Sequence, residues 1–177
     1  ALVDWLDEDD EALEQGAEGS YYQGLEKPYG CRNGKMLTVE ELLLVKGMTP
    51  AIVYGDEEHE GLIDFVTVAD TEGRINLNFA PLPVLLALSA DMTDKLAQEL
   101  ITYREDEQNE EALGQIDWYR KVGGFPATID LDGQRLTVQS TDFQVRITAS
   151  LHQFQRIGIG VVHRADKALS VVSWRVE

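Results

Sequence analysis

With a single cysteine in 177 residues the chain cannot form an intramolecular disulfide, so Cys31 reads as an incidental thiol and packing must hold the fold. At this length one ordinary domain or two small ones can bury a core without covalent or metal staples. No stretch approaches the roughly 18 consecutive apolar residues of a membrane span, and no charged-then-apolar start resembles a signal peptide. The chain opens at ALVDWLDED without a methionine, as a processed or cut-down piece would, so these absences do not extend to a parent protein. Basic residues are scarce: 15 Lys and Arg stand against 32 Asp and Glu, a formal net charge of −17. Surfaces that track phosphates need clustered Lys and Arg, which argues against nucleic acid as a partner, and anionic membranes would repel such a chain.

Catalytic constellations are missing as well. His59 sits in GDEEHEGL among carboxylates, where Asp56, Glu57, Glu58 and Glu60 suggest a solvated turn more than a metal site. His152 and His163 fall in strand patterns. There is no H-E-x-x-H, G-x-S-x-G, Walker loop or dinucleotide fingerprint, and the G-x-G of Gly158 to Gly160 lies within a strand pattern. No catalysis is expected.

What the chain does have is an acidic start, VDWLDEDDEALEQGAEGSYY at residues 3–22. Counting from Asp7 as the first position, side-chain oxygens recur at Asp9, Glu11, Gln15 and Glu18, with the Leu13 carbonyl between them, a spacing that lets a short loop wrap a hard cation. An EF-hand loop would need Gly where Ala12 stands and an apolar residue in place of Glu14. A looser oxygen-ligand calcium site drawing on Asp4, Asp7, Asp9, Asp10 and Glu18 fits the run better, because calcium accepts six to eight oxygens in flexible geometry. The competing reading is a solvated acidic helix start favoured by the helix dipole.

The charge is uneven: residues 1–60 carry −11, residues 61–125 carry −7 and residues 126–177 carry +1. The acidic part reads as helical. TVEELLLVK has Thr38 as an N-cap with Glu41 completing a capping box and Gly47 as a stop, and Thr49-Pro50 opens a short helix through Tyr54. After an extended piece, DFVTVAD, Asn78 is expected to cap a turn or helix running to Leu88. Thr93 or Asp91 then caps a longer helix carrying Leu96, Leu100, Ile101 and Tyr103, and a short helix follows around Glu110 to Trp118. VGGFPATIDLDG reads as loop. From Arg135 the period changes to two: RLTVQS, DFQVRITASLH, QFQRIGIGVVHR and ALSVVSWRVE alternate as half-buried antiparallel strands, HRADKALS forming a hairpin and the glycines of the third strand marking a bulge or face change. The fold class is therefore α+β, and a sheet of three or four strands with one apolar face needs a covering helix that the last fifty residues do not contain. Trp5, Trp118 and Trp174 read as core or interface anchors.

Several stretches, in order, resemble the K subunit, a minor pseudopilin, of bacterial type II secretion systems: DWLDEDDEALEQGAEGSYY, PYGCRNGKMLTVEELLLVKGMTP, INLNFAPLPVLLAL and the strand-rich end from STDFQVRITAS. The resemblance implies a helical, SAM-like domain over 1–125 inserted into a pilin-type domain whose last strands are 126–177. It implies a parent that begins with a prepilin peptide and a long hydrophobic helix anchored in the bacterial inner membrane, the helix the sheet lacks, with the rest in the periplasm. It also implies a non-enzymatic cap on a short pseudopilus that helps initiate fibre assembly, joined to the I and J minor pseudopilins, and calcium held in the helical domain. Carried over, Asp4, Asp7, Asp9 and Glu18 become calcium ligands, with Asn33 a further candidate. The usual I-N-x-N-T-A reads I-N-L-N-F-A here, with Phe79 in place of Thr, and the stretch between Ile101 and Phe125 is unusually acidic.

A helix-hairpin-helix binding module is the alternative, since LTVEELLLVKGMTP and INLNFAPLPVLLALSADMTDKLAQELITYRE also look like that family. Its phosphate-facing hairpin would be LSADMTDK, which has no glycine and lies among glutamates.

Overall fold

The computed structural model describes residues 1–68, 73–165 and 168–176, and the chain divides into two compact units, Ala1–Val68 and Ala69–Glu177. The architecture is α+β, as the change of period predicts. The composition change near residue 125 lies inside the second unit, where a helical core gives way to a sheet.

The first unit is built from short elements: α1 (Leu2–Leu6), α2 (Gly19–Gln23), a 3-10 helix at Val39–Leu44, α3 (Pro50–Tyr54) and a 3-10 turn at Leu62–Asp64. Aromatic packing holds it. Trp5 and Tyr22 are buried and meet edge to face at 5.0 Å, and the Tyr29 ring packs on both, with its hydroxyl donating to the Leu44 carbonyl at 2.9 Å. The helix expected over Thr38 to Lys46 forms, but as a 3-10 helix, and the capping box does not close. The Thr38 side chain makes no cap bond, and Glu41 Oε1 instead accepts from Leu37 N–H at 2.7 Å, one residue earlier, while its other oxygen faces Arg32. The tighter 3-10 winding eclipses residues three apart and changes where a side chain three residues on can reach. The helix at Pro50 forms as expected, Thr49 Oγ1 accepting from Ile52 N–H. DFVTVAD forms no strand over its described residues, and Ala69 and Asp70 lie outside them.

In the second unit α5 (Asp94–Glu105) starts at Thr93, whose Oγ1 accepts from Leu96 N–H. Its buried Ala97 and Leu100 join Leu77, Leu85, Trp118, Tyr119, Ile129 and Leu136 in one core, and Tyr103 stacks on Trp118 with ring centres 5.6 Å apart. The half-buried Arg104 guanidinium ties α5 to the preceding turn by donating to the carbonyls of Leu77 (2.9 Å) and Ala80 (2.8 Å). Asn78 caps no helix. α4 (Leu82–Leu86) begins after Pro81, and Asn78 Nδ2 donates to the carbonyls of Leu113 and Val138, bridging distant loops. The segment expected as a helix over Glu110 to Trp118 is a 3-10 turn at Ala112–Gly114 followed by another at Trp118–Lys121.

RLTVQS is not a fourth strand of the sheet. Its strand β2 (Leu136–Thr137) pairs in parallel with β1 (Ile75–Asn76) at the edge of the helical core, where Leu136 is buried. The main sheet has three antiparallel strands in the order β3 (Asp142–Leu151), β4 (Phe154–Ala165) and β5 (Ala168–Val176). Phe143, Val145 and Ile147 share one face, as the alternation predicts. The register shift lies between Val161 and Val162 rather than at the glycines, and β4 does not change face. Gly158 and Gly160 are small for another reason: the Trp174 ring lies across both, and a Cβ at either would collide with it. Trp174 is thus a cover for the sheet's apolar face and remains 51% exposed, beside exposed Ile147, Leu151, Phe154 and Val176. Among the described residues no helix is long and apolar enough to cross a membrane.

Candidate metal centre

Three carboxylates converge in the first unit. Asp4 comes from α1, Asp7 from the residue that ends it, and Glu18 from the N-cap of α2, and one oxygen of each lies within 4.8 Å of the others. The aromatic contact of Trp5 with Tyr22 sets this meeting, since those residues follow Asp4 and Glu18 on the same two helices.

The chain between the helices wraps Asp4. Its Oδ2 accepts from Ala17 N–H at 2.7 Å and from Leu13 N–H at 3.3 Å. Gly16 must be glycine here, because a Cβ would fall onto Asp4 Oδ2. Lys46 holds the outside of this turn, its ammonium donating to the Gly16 carbonyl at 2.8 Å while lying 4.9 Å from the centre of the Tyr21 ring.

The remaining oxygens are left over. Asp4 and Glu18 are almost wholly buried, yet Asp4 Oδ1, Asp7 Oδ1 and both Glu18 oxygens lack a hydrogen-bond donor, as does the buried Oδ1 of Asn33. Asn33 sits at φ 44, and its Nδ2 donates to the Asp9 carbonyl. Buried carboxylates cost several kcal/mol each unless they are paired, protonated or bound to a cation, and the four carboxylate oxygens that accept no hydrogen bond, with the Asn33 amide oxygen, are the donor type a hard cation takes. Of the six residues singled out from the sequence, Asp4, Asp7 and Glu18 converge, and Asn33 has its side-chain oxygen buried and open. Asp9 and Asp10 are exposed, and Asp9 Oδ1 accepts from Glu11 N–H.

The carboxyl groups respond differently to this crowding. For Asp4, burial raises the pKa, but the N–H donors of Ala17 and Leu13 act against it and the carboxyl lies below its ordinary value. For Asp7, burial and the charges of Asp9 and Asp4 push it up; for Glu18, burial and the charges of Asp7 and Asp4 do the same. A cation at these oxygens would therefore compete with protons for Asp7 and Glu18. A carboxyl with a raised folded-state pKa favours the metal-free fold while protonated, and that contribution is lost as pH rises through the raised value, where cation binding takes over. Any stabilisation by calcium would accordingly be full at neutral pH and fall away on acidification while ordinary surface carboxylates are still ionised. Melting curves with calcium or chelator across pH 4–7 check this, and a calcium effect flat across the whole range would contradict it.

Two residues of this site went unread in the sequence. Gly16 is visible only as a small residue in G-A-E, and Cys31, taken there as incidental, lies against the site with its thiol 3.6 Å from the Asp4 carbonyl. Burial first, and also the Glu18 charge, raise the thiol pKa, which keeps it protonated and unreactive.

Comparison with known proteins bears on the whole chain. Two family models, both described as type II secretion system (T2SS), protein K, match residues 1–55 and 75–146. The type II secretion system protein K of Pseudomonas aeruginosa is 36% identical over 89 residues, covering 49% of this chain and 24% of the relative. Among solved structures the chain is similar to one in the GspK-GspI-GspJ complex from enterotoxigenic Escherichia coli, with a TM-score of 0.64 and 17% identity over 99% of this chain and 61% of that one. The likeness of structure at that identity carries the fold alone. The chain spans about a quarter of the length of the curated relative it matches.

Proposed function

We propose, given that the chain belongs to the type II secretion system protein K family, that it is the globular part of a minor pseudopilin that caps a periplasmic pseudopilus and helps start its assembly. The observation that carries this reading is the match of two protein K models, in order, from the acidic start to the first long strand. The parent would be anchored in the inner membrane by a hydrophobic helix, and its role would be structural, without catalysis. Its partners would be the I and J minor pseudopilins, since a structurally similar chain comes from a GspK-GspI-GspJ complex. Capping follows sterically: a subunit carrying the bulky helical region through residue 125 leaves no room for another subunit to stack above it.

Calcium is the structural cofactor in this account. Asp4, Asp7, Glu18 and Asn33 would hold it, with Asp9 and Asp10 adding negative potential at the rim, and it would offset the repulsion among buried carboxylates and tie α1 to α2. Neutralising that cluster fixes the acidic start of the unit in one conformation. The helix-hairpin-helix alternative gains no support, because the hairpin around LSADMTDK carries exposed Asp91 and Asp94 and has no glycine.

Capping is tested by immunogold labelling of fibres assembled in cells that express the tagged full-length protein with its sibling pseudopilins. Label at one end of each fibre is the expected result. Label spread along the fibre length would reject the cap.

A further inference from the structure

The main sheet has a second face, opposite the one Trp174 covers. On it the register places Arg146 of β3, Ile159 of β4 and Arg175 of β5 in one row across the sheet, because Arg146 pairs with Ile159 and Ile159 pairs with Arg175. Paired residues of an antiparallel ladder point to the same side. Two residues to either side along β4, Ile157 and Val161 lie on this face too, so three half-buried β-branched side chains form a narrow apolar stripe along the central strand. Both arginines are exposed.

We infer that this face is a docking surface for an amphipathic α-helix of a partner protein, one whose apolar stripe is flanked on both sides by carboxylates. Width is the first argument. Neighbouring strands are ~4.8 Å apart, so β3 and β5 stand about 10 Å apart across β4, the diameter of one α-helix. A helix lying along β4 meets the Ile157, Ile159 and Val161 stripe with its apolar face and has a guanidinium rising at each side.

Charge is the second argument. Among the described residues this face carries Arg146 and Arg175 against one carboxylate, Asp142, in a chain whose net charge is −17. An apolar centre between arginines is the composition of an interface that binds an acidic partner, arginine being the cation that meets carboxylates bidentately. A strand added at an edge would use neither arginine, since edge addition reads backbone groups.

This deepens the assembly reading and rests on it for one point, that the protein works in contact with other chains. The test uses the full-length protein in cells that make the secretion apparatus, with the photo-crosslinker p-benzoylphenylalanine placed in turn at positions 144 and 159 on this face and at 145 and 171 on the opposite face. Crosslinks from 159 into an acidic helical segment of another protein, mapped by mass spectrometry, are expected. The charge reversal R146E/R175E is expected to lower their yield about tenfold or more, while R146K/R175K retains them. Should the reversal fail to accumulate, R146Q/R175Q carries the same comparison, with yield falling below that of the lysine variant. Several outcomes overturn the inference: no crosslink from 144 or 159, a crosslink into this chain itself or a second copy of it, a target segment without acidic residues, or a yield indifferent to the reversal. The assembly reading fails separately, if none of the four positions reaches another pseudopilin.

Discussion

Gly16→Ala is expected to cost the first unit on the order of 3 kcal/mol and to weaken its cation affinity about 10- to 100-fold. The reasoning runs through Asp4. A methyl group at position 16 would occupy the place of Asp4 Oδ2, which already accepts from Ala17 and Leu13. Either the turn moves away, freeing two backbone donors, or the carboxylate swings out of its cradle and leaves a buried charge misplaced. Each choice loses hydrogen bonds to a charged group, and overpacking adds to the loss. The effect separates stability from affinity when both are measured on the same variant: chemical unfolding with chelator present reports the packing cost, and calorimetric titration with calcium reports the site. Alanine at a glycine with open space around its Cβ position, such as Gly30, should leave both unchanged. If Gly16→Ala matched Gly30→Ala in both measurements, the cradle would not depend on that turn.

Gly16 also shows why the site was only half legible. The count of carboxylates in residues 3–22 pointed to a cation, but the loop spacing that suggested Asp9 and Gln15 as ligands treated the segment as a regular wrap. In the fold, Gln15 takes φ 63 at a turn and is exposed, and the segment bends around Asp4, which precedes the loop spacing counted from Asp7. Which acids face inward is decided by backbone donors and by the aromatic contact of Trp5 with Tyr22, tertiary features that no spacing encodes. Asn33 is reached only through a loop 24 residues from Asp9.

The sheet was easier. Strict alternation over β3 and β5 has one physical meaning, a strand with two different faces, and the strands lie where that pattern places them. RLTVQS has the same alternation and was misassigned because a two-residue parallel bridge at the edge of a helical core also alternates a buried residue with a half-buried one. The glycines of β4 read as a bulge or face change because a glycine in a strand marks either irregularity or close approach. Here the approach is that of the Trp174 ring, a residue distant in sequence.

The second large effect concerns the metal itself. Ligand that binds only the native state stabilises by about 2.7 kcal/mol at a hundredfold excess over Kd. For a unit of 68 residues that corresponds to a melting shift on the order of 10 °C. Magnesium, which demands near-ideal octahedral geometry and gives up its water reluctantly, should do much less at a site whose oxygens come from an irregular turn and two short helices. Asp7→Asn and Glu18→Gln remove charge with little change in shape, and because burial and neighbouring carboxylates disfavour the charged form of both, they relieve repulsion in the metal-free protein. They are expected to raise its melting temperature slightly while abolishing the response to calcium. A purely structural role for these carboxylates would not produce that opposite pair of changes.

The deciding measurement is the melting temperature of residues 1–177 after exhaustive chelation, titrated with calcium and, in a parallel series, with magnesium, for the wild type and Glu18→Gln. The account predicts a saturable rise with calcium, a much smaller one with magnesium and none in the variant. An unchanged melting temperature in the wild type, or an equal rise in Glu18→Gln, would contradict it and return the acidic start to a solvated loop.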